Sequence, residues 1–392
     1  MKKIIYTTFF TGLSFLLQAQ SDIGSILTSI AVNNKTLQAS SHLTETQKLE
    51  AHTGNYLSNP TIEFNQLWGD KTTGGNINEL AVVQSFDFPT VYTNKNKLAG
   101  LKSTGYDYQF AGIRQQILLL AQQTCLEIIY LRKQQALLDE RLENARHLSE
   151  LYAKRLEQGD ANQLELNKIQ LELLNAQNGA RLNSAALKAK QEQLQTLNGG
   201  IPIKFTGTQY PVSENLPDFQ QLESEYMALD PNLKNLSTQA EIAGREIRLS
   251  RAQSLPKFDI GYRRNGGSDE TLNGFVVGLS IPLFENKNTV RKAKAQFEYS
   301  NAVIEDNTRN LKSNLQQLYE QATALQTSCK EYSEILTEQH SVELLNKALM
   351  AGQISMIDYF VELTTFYDSR QNYLNVEKEY YNTLAQLYRY KL

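Results

Sequence analysis

Carboxylate side chains stand at matching offsets from two glycines in opposite halves of this 392-residue chain. The glycines and the acids six residues after them are Gly159 with Glu165, and Gly352 with Asp358. Two further acids lie close by, Asp160 beside the first glycine and Glu362 four residues beyond the second acid. Acids brought together in several copies attract cations and repel one another, whereas single acids on a helix face are ordinary solvated charges. Any function of these four acids would therefore depend on their negative charge.

Histidines and methionines occur near the same glycines. His147 and His340 each precede the glycine of their half by twelve residues. They could form a metal- or pH-responsive belt, but solvent-facing polar side chains are the favoured interpretation. Met350 and Met356 could contact soft metals, although apolar packing is favoured. The sequence has no Ser/His/Asp or Cys/His signature, no HExxH motif and no phosphate-binding glycine loop, so we predict no enzyme activity and no cofactor.

Composition excludes several classes of partner. The formal net charge is −3 and no basic cluster is present, which argues against nucleic-acid binding. Mean hydropathy is −0.44, and after the first twenty residues no apolar stretch is long enough for a membrane helix. Contact with a bilayer would therefore have to be made by strands or by a lipid anchor.

The N-terminal segment has the layout of a secretory signal peptide. Two lysines are followed by an apolar stretch and then by small residues, with cleavage expected after Ala19 or Gln20. A buried N-terminal helix is the alternative. No cysteine stands at the cleavage site, which argues against a lipid anchor. The two cysteines of the chain, Cys125 and Cys329, are predicted to be free thiols, because their offsets from the two glycines differ too much for a disulfide.

The chain is an internal duplication. "YAKRLEQGDANQLELNKIQ" from Tyr152 aligns with "LNKALMAGQISMIDYFVEL" from Leu345, and two earlier landmarks align at nearly the same shift. Prolines are absent from Thr90 to Ile201 and again after Pro282. After a signal peptide at 1–20, we predict a first repeat at 21–200, a linker at 201–215 and a second repeat at 216–392.

Each repeat follows one plan. A helical segment, roughly Ser21–Leu57 or Leu216–Ser254, ends near a proline and is followed by two strands around a polar turn. The strands are predicted within about 60–88 and 256–283, where apolar residues alternate with polar or small ones. Very long helices follow, from about 94 to 158 and from 287 to 351, and they reverse near Gly159 and Gly352.

Apolar residues of the second long helix recur at alternating steps of four and three, which predicts a coiled-coil seam. The seam consists of Leu311, Leu315, Leu318, Ala322, Leu325, Cys329, Tyr332 and Leu336. Four strands cannot close a barrel, and an open sheet edge is not tolerated in lipid. If the apolar strand faces meet lipid, subunits must pool their strands. Two chains would supply eight strands and three would supply twelve.

The ordered set of a duplicated helix–strand pair–helix–helix unit, "GLSIPLFENKNTVRKAKA" at 278–295, and two glycine-centred tips resembles the TolC-type outer-membrane efflux channel family. The resemblance covers essentially the whole chain after the signal peptide. It implies a mainly α fold with a small membrane β part, in which a trimeric 12-strand β-barrel continues into a long periplasmic helical barrel. It also implies a homotrimer in the outer membrane of a Gram-negative bacterium, extending into the periplasm, with an adaptor protein and an inner-membrane pump as partners.

The resemblance further implies a gate near the tips. Asp358 is at the offset where the family has an acidic constriction, and Glu362, Glu165 and Asp160 are further candidates. The family's second acidic ring would fall at Val361, so it has no counterpart here. The helical tips imply adaptor-docking residues, namely Gly159, Gly352, Leu349, Met350 and Leu156.

A periplasmic adaptor or a coiled-coil scaffold without membrane strands is the competing interpretation. Such proteins also carry long helical hairpins after a signal peptide. Adaptors lack two equal repeats, however, and they contain barrel and lipoyl-like domains that have no counterpart in this sequence.

Overall fold

The computed structural model describes residues 18–70, 75–212, 216–267, 270–337 and 341–392. In this part of the chain the protein consists of nine α-helices, four strands and one short 3-10 helix. The mainly helical architecture with a small strand part confirms the predicted fold class. Of the predicted signal peptide, residues 1–17 lie outside the described residues, and that interpretation stays a prediction.

The elements of the first repeat come in the predicted order. They are α1 (Gln18–Asn33), α2 (Lys35–His52), β1 (Thr61–Leu67), β2 (Ile77–Phe86), α3 (Pro89–Gln158) and α4 (Gln163–Leu197). The long helix α3 has 70 residues and begins earlier than expected. Proline suits the first position of a helix, because its missing N–H would have no partner there.

The second repeat has the same order. Its elements are α5 (Phe219–Leu229), α6 (Pro231–Ala252), β3 (Lys257–Gly266), β4 (Thr271–Ser280), α7 (Thr289–Thr337), α8 (Ser341–Met350) and α9 (Met356–Leu387), followed by the 3-10 helix Arg389–Lys391. The second long helix is thus described as two pieces, α7 and α8. Among the helices of the described residues, none is long and apolar enough to cross a membrane.

The helical segment ahead of each strand pair is divided in two, where the sequence predicts one segment. Asn34 lies between α1 and α2, and its Oδ1 accepts a hydrogen bond from the backbone N–H of Leu37 at 3.0 Å. Asp230 precedes α6, and its Oδ1 accepts from the backbone N–H of Asn232 at 3.0 Å, with Pro231 at the first helical position. Both breaks are side-chain caps, which satisfy donors that a helix start leaves open.

The chain divides into two compact units, each built from parts of both repeats. One unit contains residues 1–38, 113–228 and 313–392, and the other contains residues 39–112 and 229–312. The four strands belong to the second unit, and both glycine-centred tips belong to the first.

The sheet has the order β1-β2-β3-β4, with every neighbouring pair antiparallel. The β2–β3 pairing joins the two repeats, and Ser85 Oγ donates to Asp259 Oδ1 across it at 2.5 Å. One side of the sheet, the apolar face, carries large side chains that are exposed in the single chain. Phe275 is 91% exposed and Val277 is 82% exposed, whereas Ala81 on the opposite, polar face is 4% exposed.

The first unit contains two hydrophobic cores. One surrounds the middle of α3, where Leu118, Ala121, Cys125 and Ile128 are buried. The other lies near the tips and joins residues of α3, α4, α8 and α9. Within the described residues, each hairpin therefore buries its apolar stripe against the other.

The coiled-coil seam on α7 is confirmed. Leu315 and Ala322 are buried, and the other seam residues from Leu311 to Leu336 are half-buried, while the surrounding positions are mostly exposed. Cys125 and Cys329 are not joined by a disulfide, which agrees with the prediction. Burial raises the pKa of the Cys329 thiol to about 11, which leaves it protonated at neutral pH.

Candidate functional site

The two tips are helix reversals with the same backbone geometry. Gly159 and Gly352 have φ of 83° and 68°, a left-handed conformation that favours glycine. The backbone N–H of each glycine donates to the carbonyl three residues earlier, at 3.1 Å in both tips. The N–H of the next residue, Asp160 or Gln353, donates five residues back at 2.8 or 2.9 Å. These bonds close the outgoing helix in a Schellman motif.

The returning helices begin with capping boxes, which explain the six-residue offset of the acids. In the first tip, Asn162 Oδ1 accepts from the N–H of Glu165 at 3.0 Å, and the Glu165 carboxylate accepts from the N–H of Asn162 at 3.1 Å. In the second tip, Ser355 Oγ accepts from the N–H of Asp358 at 3.1 Å, and Asp358 accepts from the N–H of Ser355 at 3.2 Å. The spacing of glycine, cap and acid is therefore dictated by helix geometry.

Asp358 accepts one further hydrogen bond that has no counterpart at Glu165. Ser355 Oγ also donates to Asp358 Oδ2 at 2.6 Å. The side-chain and backbone hydrogen bonds from Ser355 lower the pKa of the Asp358 carboxyl below its ordinary value. Asp358 is exposed, so its negative charge faces solvent in the single chain and persists across the neutral range.

The two remaining candidate acids lie one at each tip. Asp160 is exposed directly after the first glycine. Glu362 is exposed one turn beyond Asp358 and lines a groove of about 570 Å³ between α7, α8 and α9. The other lining side chains of the groove are mainly apolar and include Leu344, Ile354 and Phe366. The structure thus places Asp358 and Glu362 on one helix of the second hairpin.

The predicted docking residues differ in accessibility. Met350 is 36% exposed and Leu156 is half-buried, but Leu349 is only 5% exposed and belongs to the core beneath the tips. Gly159 and Gly352 are exposed, and a Cβ atom on either would meet no other atom within 4 Å. Of the predicted docking residues at the second tip, Gly352 and Met350 are therefore the accessible ones.

A closed hydrogen-bonded triad joins three helices beneath the second tip. Tyr359 Oη donates to Asn346 Oδ1 at 2.8 Å and accepts from Asn144 Nδ2 at 3.0 Å. Asn346 Nδ2 donates to Asn144 Oδ1 at 2.8 Å and completes the triad. Tyr359 is fully buried, and burial raises the pKa of its hydroxyl to about 12, so the hydroxyl stays protonated as a donor.

The triad was missed in the sequence, because its members come from α3, α8 and α9 and share no local spacing. The capping boxes could have been found, since "NQLE" from Asn162 and "SMID" from Ser355 both have the capping spacing.

His147 is exposed, whereas His340 lies outside the described residues. Met356 is buried in the core beneath the tips, in keeping with apolar packing. Within the described part of the chain, no cluster of three or more His, Cys, Asp or Glu side chains could hold a metal ion. The possibility of a histidine belt, which the sequence disfavours, therefore stays untested, and the tip acids are the candidate site.

Comparison with known proteins shows what this chain resembles. Residues 222–390 match the model of the family described as outer membrane efflux protein. No curated protein sequence matches the chain significantly. The family match covers most of the second repeat and includes α8, the second tip and α9.

Several solved structures have the same fold over nearly the whole chain. CusC, from a study of transmembrane channel formation, is 15% identical, with a TM-score of 0.78, covering 94% of this chain and 92% of its own. The outer membrane protein VceC of Vibrio cholerae is 11% identical, with a TM-score of 0.77 and coverages of 95% and 96%. The Campylobacter jejuni CmeC outer membrane channel is 12% identical, with a TM-score of 0.72 and coverages of 99% and 93%. The family match and this shared fold confirm the resemblance predicted from the sequence.

The tip glycines give a first prediction. Gly352→Ala and Gly159→Ala should each lower the free energy of unfolding by about 1 kcal/mol, because an L-residue is strained at positive φ. Gly100→Ala is the matched control. Gly100 lies inside α3 in open space, so alanine there should stabilise the protein by up to about 1 kcal/mol. Denaturant unfolding measures all three variants, and stabilisation by Gly352→Ala would contradict the left-handed turn.

The buried triad gives a second prediction. Tyr359→Phe should lower the free energy of unfolding by about 1 kcal/mol, because it removes the hydrogen bonds between a buried hydroxyl and the half-buried amides of Asn144 and Asn346. Tyr299→Phe is the control, since Tyr299 is 64% exposed and should change stability by less than about 0.5 kcal/mol. Equal unfolding midpoints for the two variants would show that the triad contributes nothing.

Proposed function

We propose that this protein is the outer-membrane channel of a tripartite efflux or type I secretion system. The second repeat matches the outer membrane efflux protein family, and nearly the whole chain has the fold of outer membrane channels. The protein provides a passive exit duct for small molecules or metal ions. The family match indicates a channel rather than an enzyme. The fold also disfavours the alternative of a periplasmic adaptor or coiled-coil scaffold, because the likeness includes the strands as well as the helices.

The observation that carries this proposal is the two-faced sheet with two free edges. Large apolar side chains on one face are exposed in the single chain, with Phe275 91% exposed. Among the described strands, β1 and β4 each have only one neighbour. A bilayer would cover the apolar face, but it would leave the free backbone groups of β1 and β4 unsatisfied. Neighbouring copies of the chain must therefore pair with these edges.

A homotrimer satisfies these edges with twelve strands, which is within the range of known membrane barrels. The long hairpins of both repeats then form a helical barrel that extends into the periplasm. In this assembly the protein lies in the outer membrane of a Gram-negative bacterium, and a periplasmic adaptor and an inner-membrane pump complete the export route. The repeats are taken to be residues 21–200 and 216–392, with the linker at 201–215 and a signal peptide at 1–20.

The gate is proposed at the helical tips. Three copies of Asp358 would form an acidic ring, with Glu362 one turn further along the channel. Glu165 and Asp160 would add charge at the first tip. Support for Asp358 comes from its exposure and from hydrogen bonds that lower its pKa, because both keep the carboxylate charged at neutral pH.

Adaptor docking is proposed at the outer surface of the tips. Gly159 and Gly352 leave the turns free of side chains, and Met350 and Leu156 add apolar contact area beside them. Leu349, predicted with this group, would act from below by holding the turn on the core. A flexible thioether such as Met350 suits an irregular protein partner.

The assembly itself gives a third prediction. The full-length protein should be extracted by detergent from the outer-membrane fraction, should have three times the mass of one chain, and should give discrete single-channel currents in planar bilayers. Membrane fractionation, light scattering with detergent correction, and bilayer recording measure these properties. Recovery of a soluble monomer from the periplasm would contradict the proposal.

The gate gives a fourth prediction. Asp358→Asn should weaken block by a trivalent cation such as La³⁺, added on the tip side, by roughly tenfold, because it removes one charge per chain from the ring. Glu165→Gln is the matched control, since both acids occupy the same position of a capping box. Equal effects of the two variants would mean that block does not depend on an Asp358 ring in particular.

The pH dependence of block follows from the lowered pKa of Asp358. Because the carboxylate is favoured in the folded protein, La³⁺ block should be complete at neutral pH. It should be lost as the pH falls into the acidic range, where the Ser355 hydrogen bonds lower the pKa of each Asp358 while repulsion among three copies in a ring raises it. Current recordings across this acidic range measure the profile, and loss of block between pH 6 and 7 would exclude Asp358 as the blocking group.

A further inference from the structure

Two adjacent arginines on β3 face opposite sides of the sheet. Successive side chains of a strand point to opposite faces, so Arg263 and Arg264 cannot share one. Arg264 is in phase with Ile260 and Tyr262, which are exposed residues of the apolar face. Arg263 is in phase with Asp259 on the polar face.

Charge is distributed very unevenly between the two faces. The register places five charged residues of the described strands on the polar face: Glu63, Glu79, Lys257, Asp259 and Arg263. On the apolar face, Arg264 is the one charged residue within β1–β4 as described. An arginine on a face otherwise built from aromatic and aliphatic side chains is costly at the bilayer centre and tolerated near the interfaces.

The register also gives the height of Arg264 on the sheet. Its cross-strand neighbours are Leu80 and Asn273. The next row toward the β3–β4 turn is polar throughout, consisting of Gln66, Asn78, Gly266 and Thr271. The next row away from the turn consists of Ile62, Val82, Tyr262 and Phe275. Arg264 therefore lies at the boundary where the apolar band ends, at the end of the sheet that is near the β3–β4 turn.

Among the described strand residues, the surroundings of Arg264 contain hydrogen-bond donors but no acid on its own face. Tyr262 Oη donates to Asn273 Oδ1 at 2.8 Å, which leaves the Asn273 amide nitrogen as a second donor beside the guanidinium. Both Arg264 and Asn273 are exposed. Across the described part of the chain, the Arg264 guanidinium makes no ion pair or hydrogen bond within the chain.

We propose that Arg264, assisted by Asn273, binds the phosphate of an outer-leaflet lipid headgroup at the membrane boundary. This proposal rests on the proposed function, because it requires the apolar face to meet lipid. A guanidinium offers paired donors that match phosphate oxygens, and its long side chain can extend from the apolar band to the headgroups. The site would fix the height of the barrel in the membrane at three points of a trimer.

The test compares the two adjacent arginines in the full-length, detergent-purified protein. The probe is diphosphoryl lipid A, titrated while native mass spectrometry counts the bound lipids. Arg264→Gln should weaken lipid binding roughly fivefold, the effect of one basic residue near an anionic membrane surface. Arg263→Gln should bind like the unsubstituted protein, and Arg264→Lys should keep most of the affinity because it retains the charge.

Each outcome has a distinct meaning. Equal lipid affinity of Arg264→Gln and the unsubstituted protein overturns the proposal, as does a loss confined to Arg263→Gln, which would place lipid on the other face. Inorganic phosphate at the same concentration should leave lipid binding unchanged, and full displacement by it would show a site for the free ion instead. Single-channel recording of the unsubstituted protein tests the proposed function separately, so a conducting trimer without the lipid site contradicts this inference alone.

Discussion

The two free edges of the four-stranded sheet are the constraint on which the rest of the structure depends. A strand edge exposes a row of backbone donors and acceptors, and in lipid these groups have no solvent to bind. The chain has exposed apolar residues on one side of this sheet, so it cannot satisfy both its faces and its edges alone. Duplication supplies four strands from one gene, and the proposed association of chains would supply the remaining strands.

The two repeats share the backbone geometry of their tips but differ in the side chains packed beneath them. Both tips use a left-handed glycine and a capping box, and both returning helices start at the same offset. Seven residues after the glycine, however, the first repeat has Leu166 and the second has Tyr359. Both side chains are buried, but only Tyr359 brings a hydroxyl that binds Asn144 and Asn346. The second tip is therefore held by polar bonds of defined direction where the first has apolar contact.

Much of the fold could be predicted because its signals are local and repeated. Strand alternation from Phe258 to Tyr262 and the coiled-coil steps through Leu315 and Ala322 each report a periodic element directly. The divided helices were less visible, because Asn34 and Asp230 act as caps only when the neighbouring residues leave the helix. The triad at Tyr359 could not be predicted, since it depends on how three helices are aligned along their axes. The role of Asp358 is likewise divided between a local cap, which the structure accounts for, and a proposed ring, which depends on other chains.

The tips also differ from the sheet in the sequence separation of the residues that their hydrogen bonds join. The bonds that form the first tip all lie between Arg155 and Glu165, and those of the second lie between Ala348 and Asp358. By contrast, the side-chain bond between Ser85 and Asp259 in the sheet joins residues 174 positions apart. Closing a short loop is fast, whereas pairing distant segments is slow because chain entropy must be lost first. We therefore expect the hairpins to form early and the sheet late. The apolar face of the sheet would then be assembled last, after the helical hairpins have folded.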